Sequence, residues 1–88
     1  MGVVEDLGDG LAKATLEAMT EIDDDRFYEK VSRIVGASSP TLQEAFLTSI
    51  RIRLAERRGQ EFLAKALAAA RSGEKAPDAP PDLSVGGH

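Results

Sequence analysis

After Pro40 no proline intervenes before Ser72, and the stretch between is rich in Ala, Leu, Glu and Arg, all residues that cost little in a helix. Pro40 suits a first helical position, where its missing N–H is no loss, and Ser39 before it is a good N-cap. Gly73 offers a stop. At 1.5 Å per residue such a helix is about 50 Å long, and the rest of a small chain must be fitted to it.

The apolar residues of this stretch change sides along its length. With Leu42 set at zero on a wheel of about 100° per residue, Phe46, Ile50 and Leu54 fall at roughly 40°, 80° and 120°. Phe62, Leu63, Ala66, Leu67 and Ala70 fall instead between roughly 200° and 340°. Gly59 lies at the junction, either as a break or as a helix residue about 1 kcal/mol worse than alanine. No Ser, Thr, Asp or Asn follows it to cap a new helix, which favours a continuous or bent rod. Ala45, Ile52, Gly59 and Ala66 recur seven apart, as do Thr48, Ala55, Phe62 and Ala69. That seam of mostly small residues would let another helix approach closely.

Upstream the pattern is also helical, with no alternating β-branched run. A first helix takes Asp9 as its N-cap, with an alternative start near Val4, and runs to about Thr20 or Ile22. Leu7, Leu11, Ala14, Ala18 and Ile22 form one face, and Ala12, Leu16 and Met19 widen it sideways. "DDDRFYEKVSRIVG" reads as a second helix, with acids at the positive end of its dipole and Gly36 as terminator. Phe27, Val31, Ile34 and Val35 should face the core, with Tyr28 at its rim. The aspartate run lacks the alternate spacing, glycine and distal Glu of a calcium loop, so helix capping accounts for it better.

The expected fold is therefore all-α: a small three-helix bundle with a long third helix, or four helices if the chain breaks at Gly59. Residues 1–8 form a flexible N-terminus, 9–72 the helical domain and 73–88 a disordered tail, whose "GEKAPDAPPDLSVGGH" holds too few apolar side chains to offset the entropy of ordering. "DLSV" could serve as a short linear motif, and His88 is a lone terminal imidazole.

A second helix of about 18 Å, returned by the turn at 36–39, covers the third helix only from about Pro40 to Leu54. Phe62, Leu63, Ala66, Leu67 and Ala70 are then left as a candidate docking strip, with Leu16 and Met19 as neighbours. The competing reading folds them into an intramolecular core.

Charge is divided along the chain. Residues 1–25 set Glu5, Asp6, Asp9, Glu17, Glu21, Asp23, Asp24 and Asp25 against Lys13 alone, whereas residues 26–58 are basic through Arg26, Lys30, Arg33, Arg51, Arg53, Arg57 and Arg58. Within one fold the two segments can screen each other. Glu17, Glu21 and Asp23 could steer a basic partner. Arg51, Arg53, Arg57 and Arg58 could instead track phosphates as a small helical DNA-binding surface, although they do not share one stripe and the acidic segment would repel nucleic acid.

Enzyme chemistry lacks its inventory. The chain has no cysteine and one histidine, and it carries no Gly-x-Ser-x-Gly, phosphate-cradling loop or His-Glu-x-x-His, so no catalytic, cofactor or metal site is assigned. The acidic, glycine-interrupted start is unlike a secretory signal, Asp6 breaks a myristoylation pattern, and no apolar run approaches the roughly 20 residues that cross a bilayer. A cytoplasmic protein is expected.

The remaining class is a protein-interaction module, acting on another chain or on itself as a homo-oligomer. In size and character, "SSPTLQEAFLTSIRIRLAERRGQEFLAKALAAARSG" after a short acidic helix resembles the small all-helical antiactivators of bacterial mobile elements. The resemblance spans roughly residues 9–73 and carries no site residue over. It implies a bacterial regulator that binds and silences a transcriptional activator.

Overall fold

The computed structural model describes residues 2–75 and 77–79, and its elements are α1 (Val3–Ala18), α2 (Phe27–Ser38) and α3 (Pro40–Ser72). No strand occurs among the described residues, so the fold is all-α with three helices. The chain divides into two compact units, Met1–Ala55 and Glu56–His88.

In the first unit the core is four buried apolar side chains: Ala12 and Leu16 from α1, and Phe46 and Ile50 from α3. Leu11, Met19, Tyr28, Val31, Leu47 and Leu54 close over them, half-buried. So small a core depends on close approach of the helices, and Gly8 supplies it. A Cβ built at Gly8 would stand 2.8 Å from Ala45 Cβ and 2.9 Å from the Ala45 carbonyl carbon, so only glycine fits without a shift of α3 backbone.

This contact goes with the earlier of the two expected starts of α1, the one near Val4. The helix begins at Val3, with Gly2 at its N-cap, and Asp9 is an interior residue rather than the cap. Residues 3–8 are helical, not a flexible lead, because Gly8 must be held against α3. The buried face is correspondingly rotated to Gly8, Ala12, Thr15 and Leu16. Leu7 is 58% exposed, and the residues expected only to widen the face form its centre. Thr15 is buried at no polar cost, because its hydroxyl donates to the Leu11 carbonyl at 2.8 Å.

A similar rotation occurs in α2. Ser32 is buried while Ile34 is 74% exposed, so the inward face is Tyr28, Val31, Ser32 and Val35. Gln43 of α3 explains this: its Nε2 donates to the Ser32 carbonyl at 3.0 Å and to Ser32 Oγ at 3.2 Å. Gly36 does not end the helix but leaves room for that amide, since a Cβ there would meet all three terminal atoms of the Gln43 side chain. The helix ends at Ser38 because Ser39 precedes a proline, which disfavours helical backbone; its φ and ψ are −151° and 99°. Ser39 Oγ then accepts the Leu42 N–H at 3.0 Å, and Pro40 begins α3 as expected.

α3 is continuous through Gly59, so the four-helix alternative does not apply. It stops at Gly73, which adopts φ 79°. There the Glu74 N–H reaches the Ala69 carbonyl at 2.8 Å and the Gly73 N–H the Ala70 carbonyl at 3.4 Å, a Schellman closure. Glu74, Lys75 and residues 77–79 form no helix or strand. The expectations for "DLSV" and His88 lie outside the described residues.

Two glycines in helices should respond oppositely to alanine. Gly8→Ala should destabilise the fold by about 1–3 kcal/mol, the usual cost of overpacking. Gly59→Ala, with open space around the position, should stabilise by about 0.5–1 kcal/mol. Urea unfolding followed by far-UV circular dichroism measures both; equal signs would contradict the packing described.

Candidate docking surfaces

The polar cluster nearest the core ties the acidic first helix to the basic third. Asp9 Oδ1 accepts from Ser49 Oγ at 2.7 Å, from Arg53 Nη2 at 2.8 Å and from Arg53 Nε at 3.2 Å. Arg53 Nε also lies 3.2 Å from Ser49 Oγ. The Ser49 hydroxyl first, and the Arg53 guanidinium second, hold the Asp9 carboxyl below its ordinary pKa. At the start of α2, Lys30 Nζ pairs with Asp24 Oδ2 at 2.8 Å while Asp24 Oδ1 accepts the Arg26 N–H at 3.0 Å. The lysine contact, followed by that backbone bond, lowers the Asp24 pKa. No side chain of the aspartate run caps α2, whose N-cap is Arg26; Asp24 instead holds the turn before the helix, and both pairs join the acidic segment to the basic one.

Beside the Asp9 cluster, α1 and the first half of α3 enclose a groove of about 570 Å³. Its apolar lining comes from Val4, Ala45 and Ile52, with Thr41 and Thr48 between. Glu5 and Glu44 stand on it as acids without an ion pair among the described residues, whereas Asp9 is neutralised by Arg53. Ile52 is 64% exposed, a large apolar side chain facing water. The groove was not anticipated as a site, yet it had a legible signal: Ala45, Thr48 and Ile52 belong to the seven-residue seam of α3.

In the second unit, Phe62, Leu63 and Leu67 are 37%, 55% and 49% exposed. Ala66 is half-buried and Ala70 exposed. Every residue from 55 to 65 is exposed. Phe62, Leu63 and Leu67 are therefore open to solvent, and Leu16 and Met19, expected as their neighbours, belong to the first unit. Leu16 is 3% exposed and Met19 half-buried, both in the first unit's core, because α1 turns that face to α3. Glu17, Glu21 and Asp23 are exposed.

Of the arginines considered for phosphate contact, Arg51, Arg57 and Arg58 are exposed, and Arg53 is occupied by Asp9. Comparison with family models, curated proteins and solved structures finds no match to this chain. No helix among the described residues is long and apolar enough to cross a membrane.

The Asp9 cluster gives stability a pH dependence of defined sign. An Asp with a lowered folded-state pKa contributes fully above its unfolded value, about 3.9, and loses that contribution as pH falls through the folded one. Asp9→Asn should therefore be less stable than the parent at pH 7 and lose less stability between pH 5 and pH 2. Asp24 will retain a part of the acid response. Urea midpoints across that range check this, and parallel pH profiles for the two proteins would refute it.

Proposed function

We propose that this chain is a small protein-interaction module, and that it docks through Phe62, Leu63, Ala66, Leu67 and Ala70. The observation that carries the reading is the exposure of three large apolar side chains within six residues of one helix, with the four-residue core of the first unit already complete without them. Ordering such side chains in water has no return, whereas burying each against another chain contributes about 1.5–3 kcal/mol. A helix presenting anchors at i, i+1, i+4, i+5 and i+8 is the form that helix-in-groove recognition takes.

The similarity in size and character to antiactivators points to a transcriptional activator as the target, and to silencing by occupancy as the action. Glu17, Glu21 and Asp23 would then accelerate encounter with a basic surface. Direct nucleic-acid binding is the poorer reading, since Arg53 is committed to Asp9 and Glu5 and Glu44 face the solvent nearby.

Leu67→Glu tests the strip. The side chain is half exposed, so the melting curve should remain within about 0.5 kcal/mol of the parent, while association, read by light scattering and by co-purification from the native cell, should be lost. Collapse of the fold would assign Leu67 to a core instead. Unchanged association would remove the strip from the interface.

A further inference from the structure

A second cleft, of about 400 Å³, lies between α2 and α3 in the first unit. Its apolar lining comes from α3: Ile50 is a core residue, 1% exposed, and Leu47 and Leu54 are half-buried beside it. Its polar lining is a surplus of donors. Arg33 of α2 and Arg51 of α3 are exposed, and neither has an ion pair among the described residues. Tyr28, half-buried, makes no hydrogen bond through its hydroxyl among those residues. Ser32 is 5% exposed; its Oγ accepts from Gln43 Nε2 at 3.2 Å, and its own proton goes to no acceptor among the described residues. The single acid of the lining, Glu29, faces Arg26 at 3.6 Å on its own side of the cleft.

Two guanidinium groups and two hydroxyls with nothing to donate to call for an occupant that brings acceptors and negative charge. The leucines and Ile50 call for one that also brings an apolar body. A nucleic-acid backbone would use the arginines and leave that apolar lining idle. A free small ligand needs enclosure on most sides, whereas both arginines stand in water. We propose that this cleft receives an acidic, apolar segment of a partner protein, with an aliphatic side chain set against Leu47, Ile50 and Leu54 and a neighbouring carboxylate held by Arg33 and Arg51. Arginine suits that task, because its planar fork meets a carboxylate with two parallel hydrogen bonds. The site lies wholly within residues 28–54 and is independent of the strip in the second unit.

Titration of the full-length chain with a blocked hexapeptide of alternating glutamate and leucine, followed by backbone amide shifts, tests this. Saturable shifts should gather in residues 28–33 and 47–54, and the analogue with glutamine for every glutamate should cause none. Arg33→Gln and Arg51→Gln should each raise the dissociation constant on the order of tenfold, the loss of a charge-assisted hydrogen bond, with far-UV circular dichroism unchanged. Arg51→Lys, which keeps the charge without the fork, should fall between. Arg57→Gln, outside the cleft, should bind as the parent does. Equal binding of the glutamine analogue, shifts spread along the chain, or an equal loss in Arg57→Gln overturns the proposal. Displacement of the peptide by inorganic phosphate at equal concentration makes the cleft a phosphate site and overturns it too. Leu67→Glu should leave peptide binding intact; its loss there moves the peptide to the strip and ends the assignment to this cleft, while failure of the cleft leaves the reading of the strip standing.

Discussion

The approach of α1 to α3 at Gly8 and Ala45 governs what the first unit can be. With a side chain on position 8 the helices would separate, and the four-residue core would lose the contact between Ala12, Leu16, Phe46 and Ile50 that excludes water. Close packing also places Asp9, one residue on, within reach of Ser49 and Arg53. The glycine therefore positions an apolar contact and a charged one at once. Had the helix begun at Asp9, as capping chemistry suggests, neither could form.

That example marks where the sequence was legible and where it was not. In α3 the signals confined to neighbouring residues were read correctly: Ser39 and Pro40 begin it, Gly73 ends it, and the lack of a cap after Gly59 leaves it continuous, whereas Asp9 and Gly36 were misread as the start of α1 and the end of α2. Helical identity followed from composition, and Phe46 and Ile50 were placed inward by spacing alone. The errors in which residues are buried lie in rotation about a helix axis. Leu7 and Ile34 are strongly apolar yet exposed, while Gly8, Thr15 and Ser32 are buried. Hydrophobicity ranks side chains by their preference for burial, but which face turns inward was decided by fit, through room for α3 at Gly8 and an amide partner for Ser32 on Gln43. Neither partner is near in sequence, so no window of periodicity contains the information.

The same distinction applies to the candidate surfaces. The strip was legible because its exposure follows from lengths and spacing, which are local properties of α3. Leu16 is buried in the first unit's core, and that could not be read locally because it depends on the orientation of α1. The groove was visible only in part: the seam residues Ala45, Thr48 and Ile52 could be seen on the wheel, whereas the wall of Val4 and Glu5 exists only once α1 begins at Val3.

Size gives the unsatisfied surfaces their meaning. Small domains bury a modest share of their surface and draw stability from disulfides, metals or association; this chain has no cysteine, and the described residues hold no cluster of metal-ligating side chains. If the strip docks as proposed, association would act by mass action, adding stability in proportion to the logarithm of partner concentration over its dissociation constant. A chain whose core is four side chains while Ile52, Phe62, Leu63 and Leu67 stand in water holds back much of its apolar surface from folding alone. On the proposed reading, burying that surface between chains would make the folded population respond to whatever fills the strip, so that binding and stability would be two readings of a single equilibrium.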